Sequence, residues 1–108
     1  MSDVPEIDIT TLEQRMGEGV VVIDVREDDE YLAGHVTGAV LMPLSTVPER
    51  VGELPADGQF LIICQVGGRS GRAVQFLRAR GLDAINVAGG TSAWVNSGRP
   101  VITGPDPV

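Results

Sequence analysis

The sequence predicts an α/β domain, a small and mostly parallel sheet with helices on both faces. Three observations predict it: short β-branched apolar runs recur along the chain, turn-forming residues bound each of them, and helical patterns separate them. Runs that are apolar at nearly every position belong to strands covered on both faces. Strands that alternate with helices build parallel sheets through crossover connections.

Taken in order, Thr10–Met16 reads as a short helix and Val20–Val25 as a buried strand. Asp28–Ala33 is a second helix. Ala39–Met42 is a short strand stopped by Pro43, and Thr46–Gly52 a further helix. Phe60–Cys64 is the most apolar strand and runs straight into glycine-rich sequence. The clearest helix spans Ser70–Arg80, with Ala73, Val74, Phe76, Leu77 and Ala79 at helical spacing and Gly81 as its stop. Asp83–Val87 is the last strand, ending at Ala88-Gly89-Gly90, and Thr91–Ser97 the last helix. Residues 6–103 are expected to form one domain. Residues 1–5 and 104–108, polar or proline-rich, are expected to be tails.

A chain of 108 residues buries roughly 65% of its unfolded surface, enough for one core without disulfides. Tyr31, Phe60, Phe76 and Trp94 are the only aromatics, so the core must be mostly Val, Leu, Ile and Ala. Fifteen acidic against eight basic residues give a net charge of −7, which argues against nucleic acid or an anionic membrane as a partner. Half of the basic residues, Arg69, Arg72, Arg78 and Arg80, follow the only cysteine, Cys64, closely. One cysteine excludes an internal disulfide, a CxxC pair and a multi-cysteine zinc site, and no metal or cofactor is expected. No apolar run reaches membrane-spanning length and no signal peptide is visible. The expected compartment is the cytoplasm, where a lone thiol stays reduced.

Cys64 ends a strand, and Gln65-Val66-Gly67-Gly68-Arg69-Ser70 leads into a helix. Ligands of open α/β sheets bind beyond the carboxyl ends of strands, where the next helix points its unpaired N–H groups and positive dipole end. Gly67 and Gly68 let the loop curl so that successive N–H groups converge on an anion. Cysteines in such surroundings have pKa values of about 3.5–7.5, so Cys64 is expected to be a thiolate nucleophile. Arg69 would bind an anionic substrate or steady the loop-bound anion, and Ser70 would cap the helix or turn its hydroxyl inward. The competing reading, a cysteine that merely fills space at a strand end, is outweighed by the Gly-Gly-Arg-Ser context.

Cys64-Gln65-Val66-Gly67-Gly68-Arg69-Ser70 resembles the C-x-x-G-x-R-S active loop of rhodanese-like domains. Ile23-Asp24-Val25-Arg26, Glu30-Tyr31, Gly34-His35-Val36 and Gly38-Ala39 resemble the upstream block of that family. Val87-Ala88-Gly89-Gly90, Ala93-Trp94 and Gly98-Arg99-Pro100 resemble its closing block. The matches span about residues 6 to 101, in the family's order.

The resemblance implies a sulfurtransferase that holds sulfane sulfur as a persulfide on Cys64 and passes it to a thiophilic acceptor. The implied donor is thiosulfate or a persulfide, and the implied acceptor is cyanide or a thiol, small or on a protein. Residues Gln65 to Ser70 would contact the substrate. Many relatives carry a basic residue before the loop glycine, whereas Gln65 and Val66 are neutral, which points to a persulfide as donor. Asp24, Arg26, Glu30 and His35 would form an ion-pair and hydrogen-bonded scaffold beside the site, with His35 structural rather than a base. Trp94 reads as core, and Gly89-Gly90 as a close backbone approach near the active-site mouth. A cysteine phosphatase of related architecture needs five residues between Cys and Arg; here there are four, Gln65 to Gly68. The alternative to an enzyme is a sulfur carrier or a regulatory binding module without turnover.

Overall fold

The computed structural model describes residues 4–108. Five parallel strands form one sheet in the order β1-β5-β4-β2-β3. They are β1 (Glu6–Ile7), β2 (Val22–Asp24), β3 (Val40–Leu41), β4 (Gln59–Ile63) and β5 (Asp83–Val87). Helices α1 (Ile9–Met16), α2 (Asp28–Ala33), α3 (Gly68–Arg78) and α4 (Gly90–Asn96) connect or follow them. The α/β class expected from the run pattern is the one observed.

The near-continuous apolar runs divide their residues between two cores by strand alternation. Phe60, Ile62 and Cys64 of the β4 run, with Ile23, Val25 and Ala84, pack beneath Ala73, Val74 and Leu77 of α3. Leu61 and Ile63, with Val22, Ile85 and Val87, face Leu12 of α1 and Trp94 of α4 on the other side. Trp94 is therefore core, as its sequence context suggested, and its indole N–H donates to the Pro100 carbonyl at 2.8 Å. At about 25 cal/mol for each Å² of apolar surface removed from water, these two layers are the main stabilisation of the fold. Central β4 is shared by both.

Three local departures have physical causes. The expected helix over 46–52 is two 3₁₀ segments, Leu44–Glu49 and Val51–Glu53. Pro48 lies inside the first and has no N–H to continue an α-helical ladder. Helix α3 begins at Gly68, two residues before the expected start, because Gly67 takes the turn with φ +117°. The segment expected as a C-terminal tail is tied down: Gly38 N–H donates to the Pro107 carbonyl at 2.8 Å and Gly104 N–H to the Leu32 carbonyl at 2.9 Å. At the other end, residues 1–3 lie outside the described residues. Val4 packs on the α3-side core, and the Pro5 carbonyl accepts from Asn86 N–H at 2.9 Å. No described helix is long and apolar enough to cross a membrane.

Candidate active site

The β4 chain delivers Cys64 to the carboxyl edge of the sheet, pointing to the α3 side. The loop then folds back, so that the N-terminus of α3 closes around the sulfur. Gly67 N–H donates to Sγ at 3.1 Å, and Ser70 Oγ lies 3.2 Å from it. Only glycine accommodates the left-handed φ of Gly67 without strain, and that turn aims the N–H inward. Burial pushes the Cys64 thiol up, but the contact with the Ser70 hydroxyl and hydrogen bonds from the Ser70, Gly67 and Val66 backbone N–H groups outweigh it. The net result is a thiol held below its ordinary value of 9.0. Sγ thus sits buried among main-chain donors.

A second strand-to-helix turn holds this loop from behind. Thr91 N–H donates to the Cys64 carbonyl at 2.8 Å, Thr91 Oγ1 to the same oxygen at 3.0 Å, and Ser92 N–H to the Gln65 carbonyl at 2.9 Å. With these carbonyls drawn toward α4, the following N–H groups are left to face the sulfur. The approach is so close that a Cβ on Gly90 would lie 2.5 Å from the Cys64 carbonyl oxygen. This is the physical content of the Gly89-Gly90 pair.

The charged residues form two pairs. Asp24 and Arg26 are both buried, with Arg26 Nη2 2.9 Å from Asp24 Oδ2. The same Nη2 also donates to the Gly34 carbonyl at 2.8 Å, and Nη1 donates to Gln65 Oε1 at 3.0 Å. Gln65 in turn donates to Ser92 Oγ at 2.8 Å, so its side chain bridges Arg26 to α4. Arg69 makes a two-pronged bond to Glu30, at 2.6 and 2.8 Å. The Arg69 guanidinium lowers the Glu30 carboxyl to about 2, with burial opposing, and the carboxylate raises Arg69 further above its already high value. Arg26, Glu30, Gly34, Gln65 and Thr91 line an open cavity of about 370 Å³, with apolar walls from Ala33, Val95 and Val101.

Of the residues singled out from sequence, Cys64, Gly67 and Ser70 meet at the sulfur. Gln65 and Arg69 turn to the carboxylate-bearing wall, while Val66 is exposed at the loop tip and Gly68 opens α3. His35 is buried away from Sγ, stacked on Tyr31 with ring centroids 3.7 Å apart. Its two ring nitrogens lie 3.0 Å from the Tyr31 carbonyl and 2.9 Å from the Asp106 carbonyl, which joins α2 to the C-terminal segment. Sequence reasoning missed Asn86. Its Oδ1 accepts from the Ser70 hydroxyl at 2.5 Å. The available signal was a lone amide inside the apolar run Ala84–Val87.

A cysteine cradled by helix N–H groups at the end of a central parallel strand defines a class of anion-handling cysteine domains. Within that class, residues 8–97 match the family described as Rhodanese-like domain, and the chain belongs to it. A protein named sulfurtransferase from Allochromatium vinosum is 34% identical over 102 residues, covering 92% of this chain and 95% of that protein. A thiosulfate sulfurtransferase from Pseudomonas putida is 34% identical over 84 residues, covering 77% and 76%. Among solved structures, a rhodanese-related protein from Thermoplasma volcanium superposes with a TM-score of 0.85 at 33% identity, covering 91% and 97%.

Proposed function

We propose that Cys64 takes sulfane sulfur from a donor, carries it as a persulfide, and delivers it to a thiophilic acceptor. The observation that carries this reading is the Cys64 sulfur set among N–H donors with Gly67 N at 3.1 Å. In the loading step the Sγ thiolate attacks the outer sulfur of the donor. The donor's S–S bond breaks, and its electron pair leaves on sulfite from thiosulfate or on a thiolate from a persulfide. Both leaving groups depart as anions, so no general acid is required. In the discharge step a cyanide or thiolate acceptor attacks the outer sulfur, and the bond to Sγ breaks with its pair returning to Cys64.

The charge balance around the loop favours a persulfide donor over thiosulfate. The two arginines tied into the site are each matched by a carboxylate, Arg26 by Asp24 and Arg69 by Glu30. Gln65 and Val66 bring no charge of their own. A dianion such as thiosulfate therefore finds both of these arginines already compensated, whereas a persulfide carries less charge and suits the apolar side of the cavity. Steady-state comparison of the two donors with a common thiol acceptor tests this. The expected result is a higher kcat/KM for the persulfide and no turnover in Cys64→Ala. A higher kcat/KM for thiosulfate would refute the donor preference, and turnover by Cys64→Ala would refute the mechanism. A carrier that loads and unloads without multiple turnover uses the same chemistry. It would show one sulfur per chain and no steady state.

A further inference from the structure

Four donors surround Cys64 Sγ, and one of them is contested. The backbone N–H groups of Val66, Gly67 and Ser70 have fixed directions, but the Ser70 hydroxyl has one proton and two neighbours that would accept it. Its oxygen is 3.2 Å from Sγ and 2.5 Å from Asn86 Oδ1. The orientation of the Asn86 amide decides the contest. Asn86 is buried on β5, and its Nδ2 donates to Glu6 Oε2 at 2.9 Å and to the Gly67 carbonyl at 3.4 Å. Turning the amide over would set its oxygen against a carboxylate and a carbonyl. Oδ1 therefore faces Ser70, where it can only accept.

We propose that Asn86 is a positioning residue that competes with Cys64 Sγ for the Ser70 proton and thereby favours the forms in which Sγ is uncharged. There are two such forms. In the thiol, S–H donates to the free lone pair of Ser70 Oγ. In the persulfide, the negative charge has moved one atom outward, and Sγ needs no strong donor. The bare thiolate is the only state that Asn86 disfavours.

The consequence for transfer rests on the sulfur-carrying function proposed above. When an acceptor thiolate attacks the outer sulfur, the S–S bond breaks and its electron pair stays on Sγ. Any proton on the outer sulfur travels with that atom. Cys64 thiolate is thus the leaving group, and a thiol of lower pKa leaves faster. By withholding the Ser70 proton, Asn86 slows discharge and lengthens the time that sulfur is held. The same residue anchors the loop crest through the Gly67 carbonyl, so state preference and loop position share one side chain.

The test is the pH dependence of Cys64 alkylation by iodoacetamide in the unloaded protein. Asn86→Leu frees the Ser70 hydroxyl for the thiolate, and the midpoint is expected to move to lower pH by about one pH unit. In a Ser70→Ala background the same substitution should leave the midpoint where Ser70→Ala alone puts it, because the route through Ser70 is gone. A midpoint that stays or rises in Asn86→Leu, or an equal movement in both backgrounds, would overturn the proposal. If leucine does not fit the β5 position, Asn86→Ala, smaller than the native side chain, is read by the same criteria. Alkylation needs no sulfur donor. The profile therefore decides the role of Asn86 even if the protein never loads sulfur, which would count against the proposed function alone.

Discussion

β4 runs through Gly67 and Gly68 into α3, and β5 runs through Gly89 and Gly90 into α4. The two turns share strand, glycine pair and helix, yet their helix N-termini serve different groups. The α3 N-terminus gathers around Cys64 Sγ, with Gly67 N–H at 3.1 Å. The α4 N-terminus is filled by the protein itself, its first N–H groups bonded to the Cys64 and Gln65 carbonyls. In the proposed function one turn is the receptor for sulfur, and the other is a clamp on that turn. Helix N-terminal donors attract anions in general, so what distinguishes a site from a scaffold is which acceptor reaches the donors first.

The contrast is sharpest at the glycines. An alanine at Gly90 meets both a left-handed φ of +58° and the Cys64 carbonyl oxygen 2.5 Å from its Cβ. Neither backbone can yield without opening the clamp. Gly90→Ala is expected to destabilise the fold by about 3 kcal/mol or more, measured as a lower urea midpoint, and to abolish sulfur loading. Gly67 has the stranger φ, +117°, but the nearest atom to a methyl added there would be Gly89 N at 3.7 Å. Gly67→Ala should cost about 1–2 kcal/mol, the conformational penalty alone. Such a variant stays folded with a misdirected N–H and loads sulfur slowly. Equal destabilisation by the two substitutions would break the distinction between clamp and receptor.

The smallest effect concerns the wall beside the loop. Glu30 is held near 2, against an ordinary value of 4.5, by the Arg69 guanidinium. A depressed carboxyl adds stability that is complete above pH 4.5 and is lost as pH falls through about 2. The pair is part-exposed, so the contribution is modest. Glu30→Gln should flatten the loss of stability across that acidic window, followed by urea midpoints at successive pH values. Parallel pH curves for variant and parent would show that the pair contributes nothing.

Much of this was readable in the sequence because it is local. The runs 60–64 and 83–87 foretold β4 and β5 within a residue, since strands buried on both faces admit little but apolar side chains. Cys64 was legible as a strand-end cysteine before glycines. What escaped was non-local or too short. Two-residue β1 has no periodicity to detect. The Arg69–Glu30 pair joins residues 39 apart, and the Asn86–Glu6 bond residues 80 apart. Asn86 itself was visible as a polar residue in an apolar strand, but only register shows which face it takes and that Ser70 lies over it. The C-terminal segment was obscured by its prolines: they lack N–H donors, yet the Pro107 carbonyl accepts from Gly38 N–H and the Asp106 carbonyl lies 2.9 Å from His35 Nε2.

The proposed function requires the α3 turn to hold sulfur covalently on Cys64. Intact-mass measurement tests it most directly, after incubation with thiosulfate or a low-molecular-weight persulfide and again after adding cyanide or a thiol. The expected result is a gain of one sulfur atom at Cys64, reversed by the acceptor and absent in Cys64→Ala. No added sulfur from either donor, or an equal gain in Cys64→Ala, would contradict it.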